Sequence, residues 1–230
     1  MRVCLMVPER FSAEKELPRL LGEPADLTVF PEGFLRSKED LTLALGLTAE
    51  RPGTVLAGYR EGNLEKAVVI ESGKAIDEYT KCILTATERE KKRPGNIIRC
   101  LNSSLGKLAV PICYEVHFPE VCRVMALECP ALMVNIIGTG MYHRLQYDQW
   151  RSLAKARAIE NELPVVGCCH FCGEIPLAFA FDASGRELLE IEGKYGAFTI
   201  EVETGGEKPV GYTADRRPEL FTTLSTLSME

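Results

Sequence analysis

The stretch Leu108-Ala-Val-Pro-Ile-Cys113-Tyr-Glu-Val-His-Phe-Pro119-Glu120 contains the turn that decides how this chain is interpreted. The apolar run over 108–112 predicts a buried strand, and Pro119 suits the first turn of a helix. Cys113 therefore stands at a sharp strand-to-helix turn. Such a turn exposes a nucleophile and leaves main-chain N–H groups nearby to receive an anionic oxygen. Cys113 is the first candidate catalytic residue; the alternative is a small buried thiol at a strand end.

Composition and charge limit the possible functions. The chain has 230 residues, of which 46% are hydrophobic, enough for one large core. A net charge of -6 disfavours a nucleic-acid or anionic-membrane partner. No apolar run is long enough to cross a bilayer, and residues 1–7 read as a strand rather than an export signal. We therefore expect a cytoplasmic protein whose nine cysteines are reduced thiols.

Strands and helices alternate in the first half, and closely spaced strands follow, which predicts an α/β sandwich with more than one sheet. The predicted strands cover residues 2–7, 27–30, 55–59, 67–71, 97–101, 108–112, 132–137, 164–168, 177–181, 187–191 and 197–202. The predicted helices cover residues 12–21, 37–47, a segment beginning at Pro119, and 147–162. The charged segment 80–95 is predicted to be irregular. We expect one domain over 1–203, followed by a polar tail over 204–230 that packs on the domain or on a partner subunit.

Several further segments, together with the Cys113 turn, resemble the nitrilase, or carbon–nitrogen hydrolase, superfamily. Phe30-Pro-Glu32 places a carboxylate after a strand, and Lys81-Cys-Ile-Leu-Thr-Ala-Thr-Glu88 follows it. With Cys113 these segments reproduce the family's chain order of Glu, Lys and Cys. Arg157-Ala-Ile-Glu-Asn161 and Arg216-Arg-Pro-Glu-Leu-Phe221 are similar to later family motifs. The resemblance covers nearly the whole chain and implies a four-layer αββα sandwich that forms a homodimer or a larger homo-oligomer.

The resemblance also implies a reaction, namely hydrolysis of a non-peptide C–N bond in a small-molecule amide, with no cofactor and no metal. Cys113 corresponds to the nucleophile that forms a thioester, and Glu32 to the general base that takes its proton. Lys81 corresponds to the cation that stabilises the oxyanion. Glu88 corresponds to the family's second glutamate, which orients the lysine; Glu90 lies close by and is the alternative for that role.

The three residues Tyr114, Glu115 and His117 are expected to contribute to substrate or oxyanion binding because they follow the nucleophile. The backbone N–H of Tyr114 is the expected oxyanion donor. His117 stands where the family usually has Arg, and Glu115 where it often has Asp. The chain is also shorter than typical members in the region before Lys81, so the sequence does not specify the substrate.

Other functions remain open at this stage. The same site could serve nitrile or carbamoyl hydrolysis or acyl transfer, and a non-catalytic binding module could keep the fold. Cys168-Cys-His-Phe-Cys172 could form a zinc or redox centre instead. Zinc needs four converging ligands, whereas adjacent strand residues point to opposite faces, so these thiols are interpreted as core residues. His170 or Phe171 is expected to border the pocket, and His143 is interpreted as part of a loop.

Overall fold

The computed structural model of the chain describes residues 1–10, 12–170, 172–205 and 210–225. In chain order its strands are β1 (Arg2–Val7), β2 (Leu27–Val29), β3 (Thr54–Glu61), β4 (Leu64–Glu71), β5 (Lys74–Thr80), β6 (Leu108–Ala109), β7 (Leu132–Ile137), β8 (Val165–Cys169), β9 (Leu177–Phe181), β10 (Glu187–Glu192) and β11 (Gly196–Glu201). Its α-helices are α1 (Ala13–Leu20), α2 (Lys38–Thr48), α3 (Ala86–Arg89), α4 (Pro119–Ala126) and α5 (Arg144–Asn161). Two 3₁₀ segments cover Cys113–His117 and Pro218–Ser225.

The strands form two sheets that face each other. The first sheet has the order β11-β1-β2-β3-β4-β5 and the second the order β10-β9-β8-β7-β6. Helices α1 and α2 pack on the outer face of the first sheet, and α4 and α5 on the outer face of the second. The expected four-layer αββα sandwich is confirmed. No helix within the described ranges is both long enough and apolar enough to cross a membrane.

Strand β1 shows how the core is divided between the layers. Val3, Leu5 and Val7 contribute to the apolar cluster between the sheets. Cys4 and Met6 alternate with them and belong to the cluster under α1 and α2. All five side chains are fully buried. A strand covered on both faces needs an unbroken apolar run, which is the pattern seen in the sequence.

The main differences from the sequence expectations lie between residues 72 and 112. The apolar pattern does not predict β5, because this edge strand carries exposed polar positions. Residues 97–101 form no strand; within them Leu101 makes a single bridge to Leu108. The segment expected to be irregular contains the short helix α3.

His143 is not a simple loop residue, because its Nδ1 accepts a hydrogen bond from the Gln146 N–H and so caps α5.

The segment expected to form a tail is described over residues 204–205 and 210–225. The main-chain N–H groups of Val210 and Gly211 donate to Glu162 Oε1, at 2.6 and 2.7 Å. Glu162 directly follows α5 and is itself buried. This part of the chain therefore contacts the domain at the end of α5.

The topology places four important residues at one end of the sandwich. β1, β2 and β3 run parallel, as do β6, β7 and β8. Glu32 follows β2, Lys81 follows β5, Cys113 follows β6 and Gly138 follows β7. Loops at the carboxyl ends of parallel strands meet at one edge of a sheet, which is where α/β proteins place their ligands.

Gly58 in β3 supports the loop that carries Glu32. A Cβ atom at Gly58 would collide with the carbonyl oxygen of Pro31, the Cα of Glu32 and the amide nitrogen of Gly33. The Gly58 N–H also donates to the Pro31 carbonyl at 3.2 Å. The backbone of the loop therefore lies directly on β3, and only glycine leaves room for it.

Substituting Gly58→Ala is expected to lower the free energy of unfolding by about 1–3 kcal/mol, because the loop must move away from β3. Gly46→Ala is the matched control: Gly46 is helical, and a Cβ there would meet no atom within 4 Å. The control is expected to leave stability unchanged or to raise it. Urea denaturation measures both variants, and equal stability would contradict this role of Gly58.

Candidate active site

A cavity of about 300 Å³ opens at the strand ends that carry Glu32, Lys81, Cys113 and Gly138. Charged side chains dominate its lining. The lining residues are Glu32, Gly33, Arg36, Arg60, Glu65, Lys81, Thr85, Glu88, Lys92, Cys113, Gly138 and Thr139. The structure thus brings together the four residues that the sequence proposed as catalytic.

Lys81 lines this cavity and is only 1% exposed. Its Nζ donates to Glu32 Oε1 at 2.8 Å and to the two oxygens of Glu88 at 2.9 and 3.0 Å. Burial alone would lower the pKa of Lys81, but the adjacent Glu32, Cys113 and Glu88 raise it above its usual value. Lys81 is therefore a permanent cation between two carboxylates.

Glu88 is fixed by the start of α3. Its Oε2 accepts from the Thr85 N–H at 2.9 Å, and the Thr85 hydroxyl accepts from the Glu88 N–H at 3.2 Å, which completes a capping box. Burial would raise the pKa of Glu88, but Lys81, Thr85 and Lys92 lower it to about 2. Glu90, the alternative second glutamate, is exposed and does not line the cavity.

Cys113 has an unusual backbone conformation. Its φ of 49° lies in the left-handed region that non-glycine residues rarely adopt. Asn135 of β7 holds the turn, because its Nδ2 donates to the carbonyls of Pro111 at 2.7 Å and Cys113 at 3.3 Å. The Asn135 side chain is oriented in turn by Trp150, whose Nε1 donates to its Oδ1 at 3.0 Å. Strain maintained by such buried contacts is typical of functional positions.

The Cys113 thiol lies beside both charged partners. Burial and the neighbouring Glu32 carboxylate raise its pKa, while Lys81 and the main-chain N–H of Gly138 lower it less, so the net shift is upward. The thiol is thus protonated at neutral pH, and Glu32 is close enough to act on it electrostatically. A carboxylate close to a thiol is the arrangement that a thiol nucleophile requires.

Gly138 and His170 complete the surroundings of Glu32, and no sequence motif assigns either of them a role in holding it. A Cβ atom at Gly138 would collide with Glu32 Oε2, so only glycine allows the carboxylate to lie against β7. His170 Nε2–H donates to the Glu32 carbonyl at 2.9 Å, and burial lowers the pKa of this imidazole to about 4, which keeps it neutral. The signal in the sequence for Gly138 is a glycine directly after a buried strand. Phe171, the other residue expected at the pocket border, lies outside the described residues.

Glu115 does not line the cavity, which corrects its expected role as a substrate contact. It is fully buried, and its Oε1 accepts from the Tyr79 hydroxyl, the Cys82 N–H and the Ile83 N–H at 2.7–3.1 Å. Its Oε2 accepts from the Ile112 N–H at 2.8 Å. Glu115 therefore ties the residue before the nucleophile to the two residues after the buried lysine.

The side chains of Tyr114 and His117 also lie outside the cavity. His117 packs edge-on against Trp150, with ring centroids 4.5 Å apart, and lines a separate cleft beside α5. The Tyr114 ring contacts His117 and Phe118. The 3₁₀ geometry turns these rings away, so a binding role for the His117 side chain is not supported. The main-chain N–H of Tyr114 stays in the first turn of the 3₁₀ segment, next to the nucleophile.

The thiols near residue 170 have separate surroundings. Cys168 Sγ points toward the Val29 carbonyl, and Cys169 Sγ accepts from the Leu177 N–H. Cys172 Sγ lies near the Gly138 carbonyl. Across the part of the chain that the structure describes, no group of three or more His, Cys, Asp or Glu side chains is arranged to hold a metal ion.

Comparison with known proteins identifies the family of this chain. The sequence model of the carbon–nitrogen hydrolase family matches residues 15–214. The chain belongs to the carbon–nitrogen hydrolase family. A probable nitrilase of Schizosaccharomyces pombe is 31% identical over 164 residues, which are 66% of this chain and 59% of the relative. An omega-amidase of Saccharomyces cerevisiae is 30% identical over 112 residues, 43% of this chain and 36% of the relative.

The alignments with these two relatives thus span between about a third and three-fifths of the relatives' length.

Solved structures share the fold over all or nearly all of the chain. A carbon–nitrogen hydrolase from Helicobacter pylori has a TM-score of 0.85 at 18% identity and covers 100% of this chain and 99% of its own. A variant amidase from Nesterenkonia sp., with the acetamide moiety of fluoroacetamide added at its active-site cysteine, has a TM-score of 0.78 at 20% identity and covers 96% and 95%.

The raised pKa of the Cys113 thiol predicts how it reacts with iodoacetamide. The thiolate fraction is small at pH 7, so the modification rate is expected to rise about tenfold per pH unit from pH 7 to 9, without a plateau. Peptide mass spectrometry measures the rate, and the exposed Cys129 in the same digest controls for reagent quality. A plateau below pH 8 would mean a preformed thiolate and contradict the electrostatic description.

Proposed function

We propose that this protein hydrolyses the C–N bond of a small amide through a thioester on Cys113. The observation that carries this proposal is the contact of the buried Lys81 with Glu32, in the same cavity as the strained Cys113. A base, a cation and a nucleophile in one cavity are the minimum set for acyl transfer to a thiol. A binding module would have no need to keep a buried cation between two carboxylates.

The first half of the reaction forms the thioester. Glu32 takes the thiol proton as Cys113 Sγ bonds to the amide carbonyl carbon, and the carbonyl oxygen becomes an oxyanion. The Lys81 ammonium stabilises this oxygen together with the main-chain N–H of Tyr114. The intermediate then collapses, the C–N bond breaks, and Glu32 gives its proton to the departing amine.

The second half releases the acid. Glu32 takes a proton from water as the water oxygen bonds to the thioester carbonyl carbon. The C–S bond breaks, and the thiol regains its proton from Glu32. The sum of the two halves is amide plus water to carboxylic acid plus amine, with the protein unchanged. Glu88 supports both halves by holding the Lys81 ammonium in place.

We favour amide over nitrile as the substrate class because two of the similar proteins are amidases, whereas one relative is a probable nitrilase. One curated relative is an omega-amidase, and the amidase from Nesterenkonia sp. has the same fold. Nitrile or carbamoyl hydrolysis and acyl transfer would begin with attack by the same Cys113 thiol and remain alternatives. The homo-oligomeric state, the cytoplasmic location and the tail over 204–230 remain predictions from the sequence.

Substitutions at the proposed residues test the reaction directly. Cys113→Ala is expected to abolish ammonia release from butyramide, because no thioester can form. Glu32→Gln is expected to lower kcat by about 10²–10⁴-fold, the usual contribution of a general base. Cys129→Ala changes an exposed thiol and is expected to keep full activity. Unchanged hydrolysis by the Cys113→Ala protein would overturn the proposal.

A further inference from the structure

Glu65 of β4 is a second buried carboxylate in the cavity, and the reaction described above does not use it. It is 1% exposed. Its Oε1 accepts from Arg60 Nε at 2.7 Å and lies 2.7 Å from Lys92 Nζ. Within the described residues, no donor reaches its other oxygen, Oε2, although that atom is fully buried. A buried acceptor without a donor costs stability, so its partner is expected to come from the cavity.

Glu65 Oε2 lies close to the backbone of Gly33. A Cβ atom built on Gly33, whose φ is +64°, would lie 3.6 Å from Glu65 Oε2 and 3.5 Å from Arg60 Nη2. Gly33 lines the cavity and directly follows the proposed base, Glu32. The space left by the missing side chain is therefore bordered by one acceptor and one donor, on the same wall as the base.

The acceptor and the donor at this space limit which chemical group could fit there. A carboxylate has no donor to offer to Glu65 Oε2, and an ammonium has no acceptor to offer to the Arg60 guanidinium. A neutral group with one C=O and one N–H offers both. Its N–H would donate to Glu65 Oε2, and its oxygen would accept from the Arg60 guanidinium.

We propose that Glu65 and Arg60 form a specificity subsite for a second, neutral carboxamide or ureido group of the substrate, separate from the amide that reacts at Cys113. This inference rests on the proposed amidase function and adds to it a preference for molecules with two such groups over simple amides such as butyramide. Glu65 contacts the distal group and takes no part in bond cleavage.

Binding to the Cys113→Ala protein tests the subsite without turnover. Isothermal titration calorimetry compares succinamide with 4-oxopentanamide, which keeps the distal carbonyl but lacks the distal N–H. Glutaramide and 5-oxohexanamide form a second pair, one carbon longer. The diamide of at least one pair is expected to bind about tenfold more tightly than its ketone, because the ketone leaves Oε2 unpaired.

Variants at position 65 assign the preference to this side chain. In the Cys113→Ala protein, the further substitution Glu65→Met replaces the carboxylate with a side chain of similar size that has no oxygen acceptor. It is expected to abolish the diamide preference. Glu65→Gln keeps an acceptor oxygen and is expected to retain part of it, which a purely structural role would not predict. Glu61→Met is the matched control, because Glu61 ends the preceding strand and pairs with Lys66 outside the cavity. It is expected to leave the preference unchanged.

Equal binding of diamide and ketone in both pairs, or no measurable binding of either diamide, would overturn the subsite. A preference that persists in the Glu65→Met protein would also overturn it. Butyramide hydrolysis by the unaltered protein tests the proposed function separately. Hydrolysis without a diamide preference would remove only the subsite, whereas loss of hydrolysis with the preference intact would remove only the reaction.

Discussion

The rest of the site depends on the Lys81 ammonium, which is buried to 1% exposure between Glu32 and Glu88. An uncompensated charge at that depth would cost several kcal/mol, so both carboxylates must be held within hydrogen-bond distance. Much of the local architecture meets this requirement. Gly58 lets the Glu32 loop lie on β3, and the capping box at Thr85 fixes Glu88. Glu32 and Lys81 then set the electrostatic environment of the Cys113 thiol.

A second constraint holds Lys81 and Cys113 in a fixed arrangement. Glu115 accepts main-chain hydrogen bonds from Ile112 and from the two residues after Lys81. Asn135 independently holds the turn, because its side-chain amide donates to the Cys113 carbonyl. The cation and the thiol therefore keep a fixed relation even though they lie on different sheets. Such rigid support is what preorganised electrostatic catalysis requires.

The sequence predicted the four-layer fold and the convergence of Glu32, Lys81, Glu88 and Cys113, because each lies in a local motif with a family counterpart. It could not resolve Glu88 from Glu90, since that choice depends on which residue occupies the third position of α3. Tyr114, Glu115 and His117 were placed near substrate by their position after the nucleophile. The 3₁₀ turn instead directs the Glu115 side chain into the core and the His117 ring toward Trp150.

The remaining features depend on contacts between distant parts of the chain. Gly138 matters because of its approach to Glu32, and no local pattern reports a contact across more than a hundred residues. The edge strand β5 lacks an apolar run, so its pairing with β4 is not visible in the sequence. Glu65 was not singled out either, because its burial beside the cavity follows from that pairing and from the ion pairs with Arg60 and Lys92.

The central claim is that Cys113 carries the acyl group. Intact-mass and peptide mass spectrometry of the protein, acid-quenched during turnover of butyramide, tests it most directly. The account predicts a mass increase of one butyryl group, confined to the peptide that contains Cys113 and removed by hydroxylamine. Turnover with no adduct on that peptide, or with the adduct on another residue, would contradict it.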